Sequence, residues 1–204
     1  MADSTTIPVD STSLGVPTTV GQLLRLNTRD HHAAVDQAFG SFGLDTETGY
    51  TRFLQAHSRI LPVAERTLDP TQLLDCWQPR AALLLDDLAD MGVSQLPDIA
   101  FSVPDDAAFR WGAVYVLEGS RLGGAVLKRR IPAGLPSRFL SAAPAAPWQA
   151  TLKALDRADE GSVWRGKALC GAQAMFAAYL DAAEAPAETR IASRLERSDP
   201  PASF

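Results

Sequence analysis

Three polar residues near the amino terminus have the spacing of a histidine metal ligand with its supporting groups. Thr28, His32 and Asp36 follow one another at intervals of four residues, so a helix would align them in one row. A carboxylate one turn from an imidazole can accept the hydrogen of one ring nitrogen, which leaves the other nitrogen to bind a metal. His32 with Asp36 is therefore a candidate metal ligand with its acidic partner.

His31 competes with His32 for this role on helical geometry alone. Compared with Leu24 and Val35, His31 lies nearer to the middle of the apolar face, which favours it as a buried core histidine. The sequence contains three histidines and no cysteine or carboxylate cluster near them, so a closed zinc site is disfavoured. A haem would need one axial imidazole, because the porphyrin supplies the other nitrogens.

Gly119, Gly123 and Gly124 interrupt an apolar run that otherwise has helical character, YVLEGSRLGGAVLKRR. Each glycine inside a helix costs on the order of 1 kcal/mol relative to alanine. Their spacing places all three on one helical face, where bare backbone can approach a flat ligand or a second helix. A strand followed by a nucleotide-binding loop is disfavoured, because the run contains neither GxGxxG nor a P-loop.

Helical periodicity dominates from Thr19 onward and predicts an all-α, single-domain protein. The polar residues 1–17 predict a flexible leader and residues 186–204 a partly disordered tail, with the helical domain over 18–185. The predicted helices are 19–39 with Thr18 or Thr19 as N-cap and Gly40 near its end, 46–68 bent or divided at Pro62, 70–92 broken at Pro79 and stopped by Gly92, a long segment over 105–131, and two late helices in APWQATLKALDRA and EGSVWRGKALCGAQAMFAAYLDAAEA.

The charge balance excludes several classes of partner. The chain has 19 basic and 24 acidic side chains and a formal net charge of -5, which gives no electrostatic basis for binding nucleic acid or an anionic membrane. Apolar stretches are much shorter than the roughly 20 residues of a membrane span. Cys76 and Cys170 lie among apolar residues and are predicted to be buried thiols in a reducing compartment, with a disulfide between them as the less favoured alternative. The expected location is the cytoplasm.

Two segments, LLRLNTRDHHAAVD and YVLEGSRLGG, resemble the haem oxygenase family, in particular the bacterial members found with bacteriophytochromes. RAALLLDDLADMG and GAQAMFAAYL have the family's character too, and the resemblance covers roughly residues 20 to 183. It implies a helical bundle in which haem is sandwiched between a proximal helix and a kinked, glycine-rich distal helix.

The resemblance assigns roles to individual residues. The family's proximal-histidine pattern falls on His32, which favours it over His31 as the iron ligand. Ser120 stands where animal members carry an aspartate that holds distal water, and Arg121 is interpreted as a solvated surface residue. The implied catalytic residues are Gly119, Ser120, Gly123 and Gly124; the implied haem contacts are Arg25 at a propionate, Thr28, His32, Asp36, Gly119, Gly123, Gly124 and Phe176.

The implied reaction is the oxidative cleavage of haem b to biliverdin, carbon monoxide and ferrous iron. Haem would be both substrate and cofactor, O2 the oxidant, and a reductase or ferredoxin the external electron donor, with a bacteriophytochrome as a receiver of biliverdin. Two alternatives stay open: a haem-binding or storage protein without turnover, and a helical scaffold of this shape with another chemistry. A di-iron version is disfavoured, because the sequence contains no Glu-x-x-His pair.

Overall fold

The computed structural model describes residues 18–144 and 146–186, and these residues form nine α-helices and no strand. The prediction of an all-α fold is confirmed. The predicted leader over 1–17 and the tail beyond Pro186 lie outside the described residues. No helix in the described part of the chain has the length and apolar character needed to cross a membrane. The helices are α1 (Val20–Asn27), α2 (Arg29–Gly40), α3 (Glu47–Leu68), α4 (Ala81–Asp90), α5 (Ala107–Gly119), α6 (Gly124–Lys128), α7 (Arg138–Ser141), α8 (Trp148–Arg157) and α9 (Ser162–Glu184), with 3-10 turns at Pro70–Gln72 and Ser120–Gly123.

α1 and α2 replace the single helix predicted over 19–39. Thr19 is the N-cap of α1 and takes part in a capping box, as expected for a threonine at this position. The break falls at Thr28, whose buried hydroxyl donates to the Leu24 carbonyl at 2.8 Å. Such a bond to the carbonyl four residues back bends helices. α2 then ends at Gly40, as predicted.

Pro62 was predicted to bend or to divide this helix; α3 is continuous from Glu47 to Leu68, so the division does not occur. Proline has no N–H to donate to the carbonyl of Ser58, four residues back. That carbonyl accepts a hydrogen bond from the Gln95 side chain at 3.4 Å, and the next one, of Arg59, accepts from the Ile99 N–H at 3.0 Å. The segment after α4 therefore supplies donors beside the proline, and the helix stays intact.

The predicted helix over 70–92 is a 3-10 turn followed by α4, with the predicted break at Pro79 between them. The first backbone N–H groups of α4 have no cap from the helix itself. Glu65 of α3 accepts from the N–H of Arg80 at 2.9 Å and from that of Ala81 at 3.0 Å. Burial raises the pKa of Glu65, and these backbone hydrogen bonds oppose the rise. α4 is thus attached to α3 through one carboxylate.

The closest helix packing lies where α5 crosses α9. A Cβ on Gly112 of α5 would lie 1.7 Å from the Ala168 carbonyl oxygen, and one on Gly171 of α9 would lie 1.9 Å from the Phe109 carbonyl oxygen. Each helix therefore presents a glycine to the backbone of the other. The buried apolar side chains of these two helices join those of α1, α3 and α4 in one continuous core.

Cys76 and Cys170 are both exposed and both free, so the prediction that their thiols are buried is wrong. Apolar residues occur on every side of α9, and the sequence around Cys170 therefore does not indicate which face packs inward. The apolar neighbours of Cys170 point to the core while the cysteine itself faces outward.

We expect Gly112→Ala to lower the free energy of unfolding by about 3 kcal/mol, because its methyl group would overlap the backbone of α9. The matched control is Gly166→Ala, also in a helix, where an added Cβ meets nothing within 4 Å. This control should gain up to about 1 kcal/mol from helix propensity. Urea unfolding of both variants measures the difference, and equal stabilities would contradict the close crossing.

Candidate active site

A cavity of about 990 Å³ is bordered by α1 and α2, by α5 with the 3-10 turn and α6 after it, and by α3, α8 and α9. This volume is at the upper end of the range of roughly 300–1,000 Å³ typical of ligand pockets. The exposed apolar side chains of Leu26, Leu122 and Val126 also border the cavity. A flat, mostly apolar ligand could cover these three side chains, which are otherwise open to water.

His32 lies on α2 with its side chain 63% exposed, and it borders the cavity. Its Nδ1 is 2.9 Å from Oδ2 of Asp36, one helical turn further on. This contact holds the hydrogen on Nδ1, so Nε2 keeps the free lone pair of a metal ligand. The Phe176 ring of α9 meets the imidazole edge-on, with ring centroids 5.7 Å apart. His31 is exposed and does not border the cavity, so the expectation of a buried His31 is wrong.

Thr28 and Arg25 border the same cavity from α1 and its end. Thr28 is buried, and its hydroxyl is engaged by the Leu24 carbonyl, so its contribution is the bend between α1 and α2. Arg25 is exposed, one helix before His32. Its guanidinium can pair with an acidic group of a ligand at the cavity edge.

Gly119, Gly123 and Gly124, which were predicted to share one face of the distal helix, have different surroundings. Gly119 and Gly123 border the cavity: a Cβ on Gly119 would meet Trp148 at 3.7 Å, and one on Gly123 would meet Leu127 at 3.9 Å. Gly124 does not border it, because its Cβ would lie 2.7 Å from the Leu140 carbonyl oxygen. The structure therefore places Gly124 in helix packing against α7, which differs from the expectation of a haem contact.

Ser120 begins the 3-10 turn that kinks the chain after α5, and it borders the cavity. Its hydroxyl donates to the Leu117 carbonyl at 2.7 Å and accepts from Nη2 of Arg80. Arg80 is 4% exposed and also donates to the Leu117 carbonyl at 3.2 Å. The buried guanidinium of Arg80 thus contacts the kink from the side of the protein core.

Arg121 is buried, so its interpretation as a solvated surface residue is wrong. Its Nε donates to Glu118 at 2.7 Å, its Nη2 donates to the Gln78 carbonyl, and its guanidinium lies 5.7 Å from the ring centroid of Trp77. Trp77 donates to the same Glu118 carboxylate at 2.7 Å. The change from an α-helix to a 3-10 turn at Ser120 alters which side chains face inward, and helical periodicity cannot anticipate it.

His57 occupies the deep end of the cavity, where it is buried among the aromatic rings of Phe39, Phe53, Phe139 and Tyr179. Burial lowers the pKa of His57 to about 3, although a hydrogen bond between Nδ1 and the Phe53 carbonyl at 2.9 Å opposes this effect. The imidazole is therefore neutral near pH 7.

Eight of the nine residues singled out in the sequence border this one cavity, and Gly124 is the exception. Sequence reasoning missed several aromatic residues that complete its walls. Tyr115 could have been found, since it precedes Gly119 by one turn on the same helix, whereas Trp148 comes from another element and gave no local signal. The missed residues are Phe39, Phe53, His57, Tyr115, Trp148 and Tyr179.

A protein named heme oxygenase from Xanthomonas campestris pv. campestris (strain 8004) is 33% identical over 156 residues, covering 70% of this chain and 93% of that relative. This chain belongs to the haem oxygenase family. Its fold is similar to the crystal structure of the NO- and CO-bound heme oxygenase from Neisseria meningitidis, with a TM-score of 0.66 and 23% identity, covering 82% of this chain and 91% of that one. No family model matches the sequence.

The cavity of this haem oxygenase family member has the features that a haem requires. His32 offers a free imidazole nitrogen, Gly119 and Gly123 offer bare backbone where a side chain would fill the space, and the borders are mostly apolar. Arg25 and Arg29, at the cavity edge, provide cations for the two propionates. The residues present therefore fit the group that the family name implies.

The buried neutral state of His57 makes the stability of this family member depend on pH. Since the pKa in the folded protein lies below the ordinary 6.5, the unfolded chain takes up the proton first as the pH falls. The contribution of neutral His57 to the free energy of unfolding is complete above about pH 6.5. It falls by about 2 kcal/mol between pH 7 and pH 5.

His57→Gln should remove this part of the pH dependence, measured by urea unfolding at several pH values. The exposed His31→Gln is the control and should keep the wild-type dependence. A His57→Gln protein with an unchanged slope would show that His57 is protonated in the fold.

Proposed function

We propose that this protein is a haem oxygenase that cleaves haem b to biliverdin, carbon monoxide and ferrous iron, using O2 and electrons from an external donor. One observation carries the proposal: His32, with Asp36 on its Nδ1, borders the same cavity as the bare backbone of Gly119 and Gly123. Haem-based oxygen chemistry requires a protein side chain that can hold the iron and open space in which O2 can bind. Family membership supports the same reaction.

Bound haem would supply the iron at which O2 is activated and the porphyrin ring that is oxidised. His32 would hold the iron through Nε2, and Asp36 fixes the tautomer that makes this possible. Phe176 packs edge-on against the imidazole and restricts its rotation. Arg25 would bind a propionate, which orients the ring in the cavity.

The kinked segment would cover the other face of the substrate. Gly119 and Gly123 leave space beside the ring, which a larger side chain would take from O2. Ser120 presents a hydroxyl to the cavity, and Arg80 holds that hydroxyl in place from behind. The kink thereby combines open space with a polar group that can hydrogen-bond to a reacting oxygen or to water.

We further propose that electrons come from a reductase or ferredoxin and that biliverdin passes to a bacteriophytochrome. The family resemblance supports both partners. A cytoplasmic location fits the two free cysteines, since a reducing compartment keeps exposed thiols unpaired.

Hemin should form a 1:1 complex with the protein, and ascorbate in air should replace its Soret band by biliverdin absorption. We expect His32→Ala to change the spectrum of the complex and to abolish biliverdin formation, because the side chain that would hold the iron is lost. His31→Ala is the matched control, one residue away and outside the cavity, and should behave as the wild type.

A stable hemin complex that no electron donor converts would favour a haem carrier instead of an oxygenase. Absence of a specific complex would contradict the proposal altogether.

A second test places a larger side chain in the part of the cavity beside Gly123. Gly123→Leu should lower hemin affinity at least tenfold, because the side chain would project into the cavity where an added Cβ meets little. Ala125→Leu adds similar bulk in the same segment at an exposed position that does not border the cavity, and should bind hemin normally. Titration of the Soret absorbance measures both affinities, and normal binding by Gly123→Leu would place the haem elsewhere.

A further inference from the structure

Asp87 of α4 is a fully buried carboxylate that does not border the cavity. Its Oδ1 accepts from the backbone N–H of Arg138 at 3.1 Å, and its Oδ2 accepts from that of Phe139 at 3.0 Å. The Arg138 guanidinium also donates to Oδ1, at 3.3 Å. Both oxygens of this carboxylate are therefore engaged by the first turn of α7.

The position of α7 depends on this carboxylate. α7 is a single turn of four residues, and Ser137 at its N-cap makes no side-chain hydrogen bond to it. A helix this short is not stable by itself, because few hydrogen bonds offset the cost of nucleation. Its first N–H groups also need an acceptor from outside the helix. Asp87 supplies that acceptor and attaches α7 to α4.

Tyr50 of α3 holds the chain just before α7. Its hydroxyl donates to the Pro136 carbonyl at 2.9 Å, and its side chain is fully buried. Burial raises the pKa of Tyr50, and the nearby charge of Asp87 raises it further, so the hydroxyl keeps its hydrogen near neutral pH. The entry to α7 is thus fixed by two buried side chains from two different helices.

The other side of α7 contacts the kinked segment, Ser120 to Lys128. A Cβ on Gly124 would lie 2.7 Å from the Leu140 carbonyl oxygen, so the two backbones touch. Lys128 donates to the Ser141 hydroxyl at 2.8 Å. Gly124 and Lys128 are the first and last residues of α6. α6 is therefore held against α7 at both of its ends.

The kinked segment is also a border of the cavity. Gly123, Val126 and Leu127 all border it. Gly123 directly precedes the residue that touches α7, and the other two lie within α6. Because packed backbones move as rigid elements, a shift of α6 on α7 would displace this border by a similar distance.

We propose that Asp87 is a positioning residue that fixes this border of the cavity through α7. On the proposed function, it would determine how closely the kinked segment approaches the haem and which part of the ring is open to oxidation. A displacement of about 1 Å is enough to alter a reaction. Since the substituents of haem b are arranged without symmetry, cleavage at each bridging carbon gives a different biliverdin isomer.

The first test is hydrogen exchange in the haem-free full chain, comparing Asp87→Asn with the wild type. Asparagine has the same shape, but its NH2 group cannot accept the N–H that the second carboxylate oxygen accepts. We expect the amides of residues 120–128 to exchange about tenfold faster or more, with those of α2 unchanged. Faster exchange in α7 alone, or no change, would overturn the proposal.

Two control variants separate this effect from a general loss of stability. Asp90→Asn removes the exposed ion pair with Arg138 but leaves the bonds to Asp87 in place, so it should exchange as the wild type does. Thr46→Ala removes the N-cap of α3 and should destabilise the protein without selective exchange in residues 120–128. Equally selective exchange in Thr46→Ala would contradict a specific role for Asp87.

Gly124→Ala breaks the same connection at its other end and leaves Asp87 in place. The added methyl group would meet the Leu140 carbonyl and push α6 away from α7. Exchange in residues 120–128 should rise as in Asp87→Asn. The double variant should show less than the product of the two effects, because each change breaks one shared connection. Fully independent effects would show that Asp87 does not act through α7.

The second test is the product of the hemin-loaded proteins with ascorbate in air. Asp87→Asn and Gly124→Ala should both change the proportions of the biliverdin isomers, whereas Thr46→Ala should keep those of the wild type. A loss of stability alone lowers the amount of active protein and leaves the proportions as they were. Unchanged proportions in both variants would contradict the role of Asp87 in haem cleavage.

The two tests fail separately. If no protein forms biliverdin, including the wild type, the proposed function is contradicted. Hydrogen exchange in the haem-free chain still decides whether Asp87 positions the kinked segment.

Discussion

At the crossing of α5 and α9, the two backbones are so close that neither Gly112 nor Gly171 has room for a side chain. This contact fixes the position of both helices that complete the cavity. α9 brings Phe176 against the imidazole of His32 and Tyr179 to the deep end. Because the crossing is backbone against backbone, a small change there would displace the cavity walls as rigid elements.

The kinked segment from Ser120 to Lys128 contains two neighbouring glycines that have different structural roles. Gly123 leaves its space to the cavity, whereas Gly124 gives its space to the Leu140 carbonyl on α7. The 3-10 turn over Ser120–Gly123 produces the change of direction between these two uses. A straight α-helix would put both glycines on one face and could not serve the ligand and the helix packing at once.

Several charged side chains are buried behind this kink, and one of them, Arg121, was predicted to lie at the surface. Arg80 bonds to Ser120, and Arg121 pairs with Glu118 under the Trp77 ring. Buried ion pairs of this kind contribute little net stability, but removing one partner is expensive. Their effect here is to hold the turn in one conformation, with its hydroxyl beside the cavity and its carbonyls satisfied.

The helical fold, the capped start at Thr19 and the row of Thr28, His32 and Asp36 could be predicted from the sequence, because hydrophobic period, capping and helical spacing are local properties. The family resemblance chose His32, where the helical face favoured His31. Three features depend on the folded arrangement instead: α3 passes through Pro62, Cys170 faces outward, and Arg121 is buried. Each of these depends on partners from distant parts of the chain, such as Gln95 beside Pro62, and no local pattern encodes a contact with a residue that folding has yet to bring near.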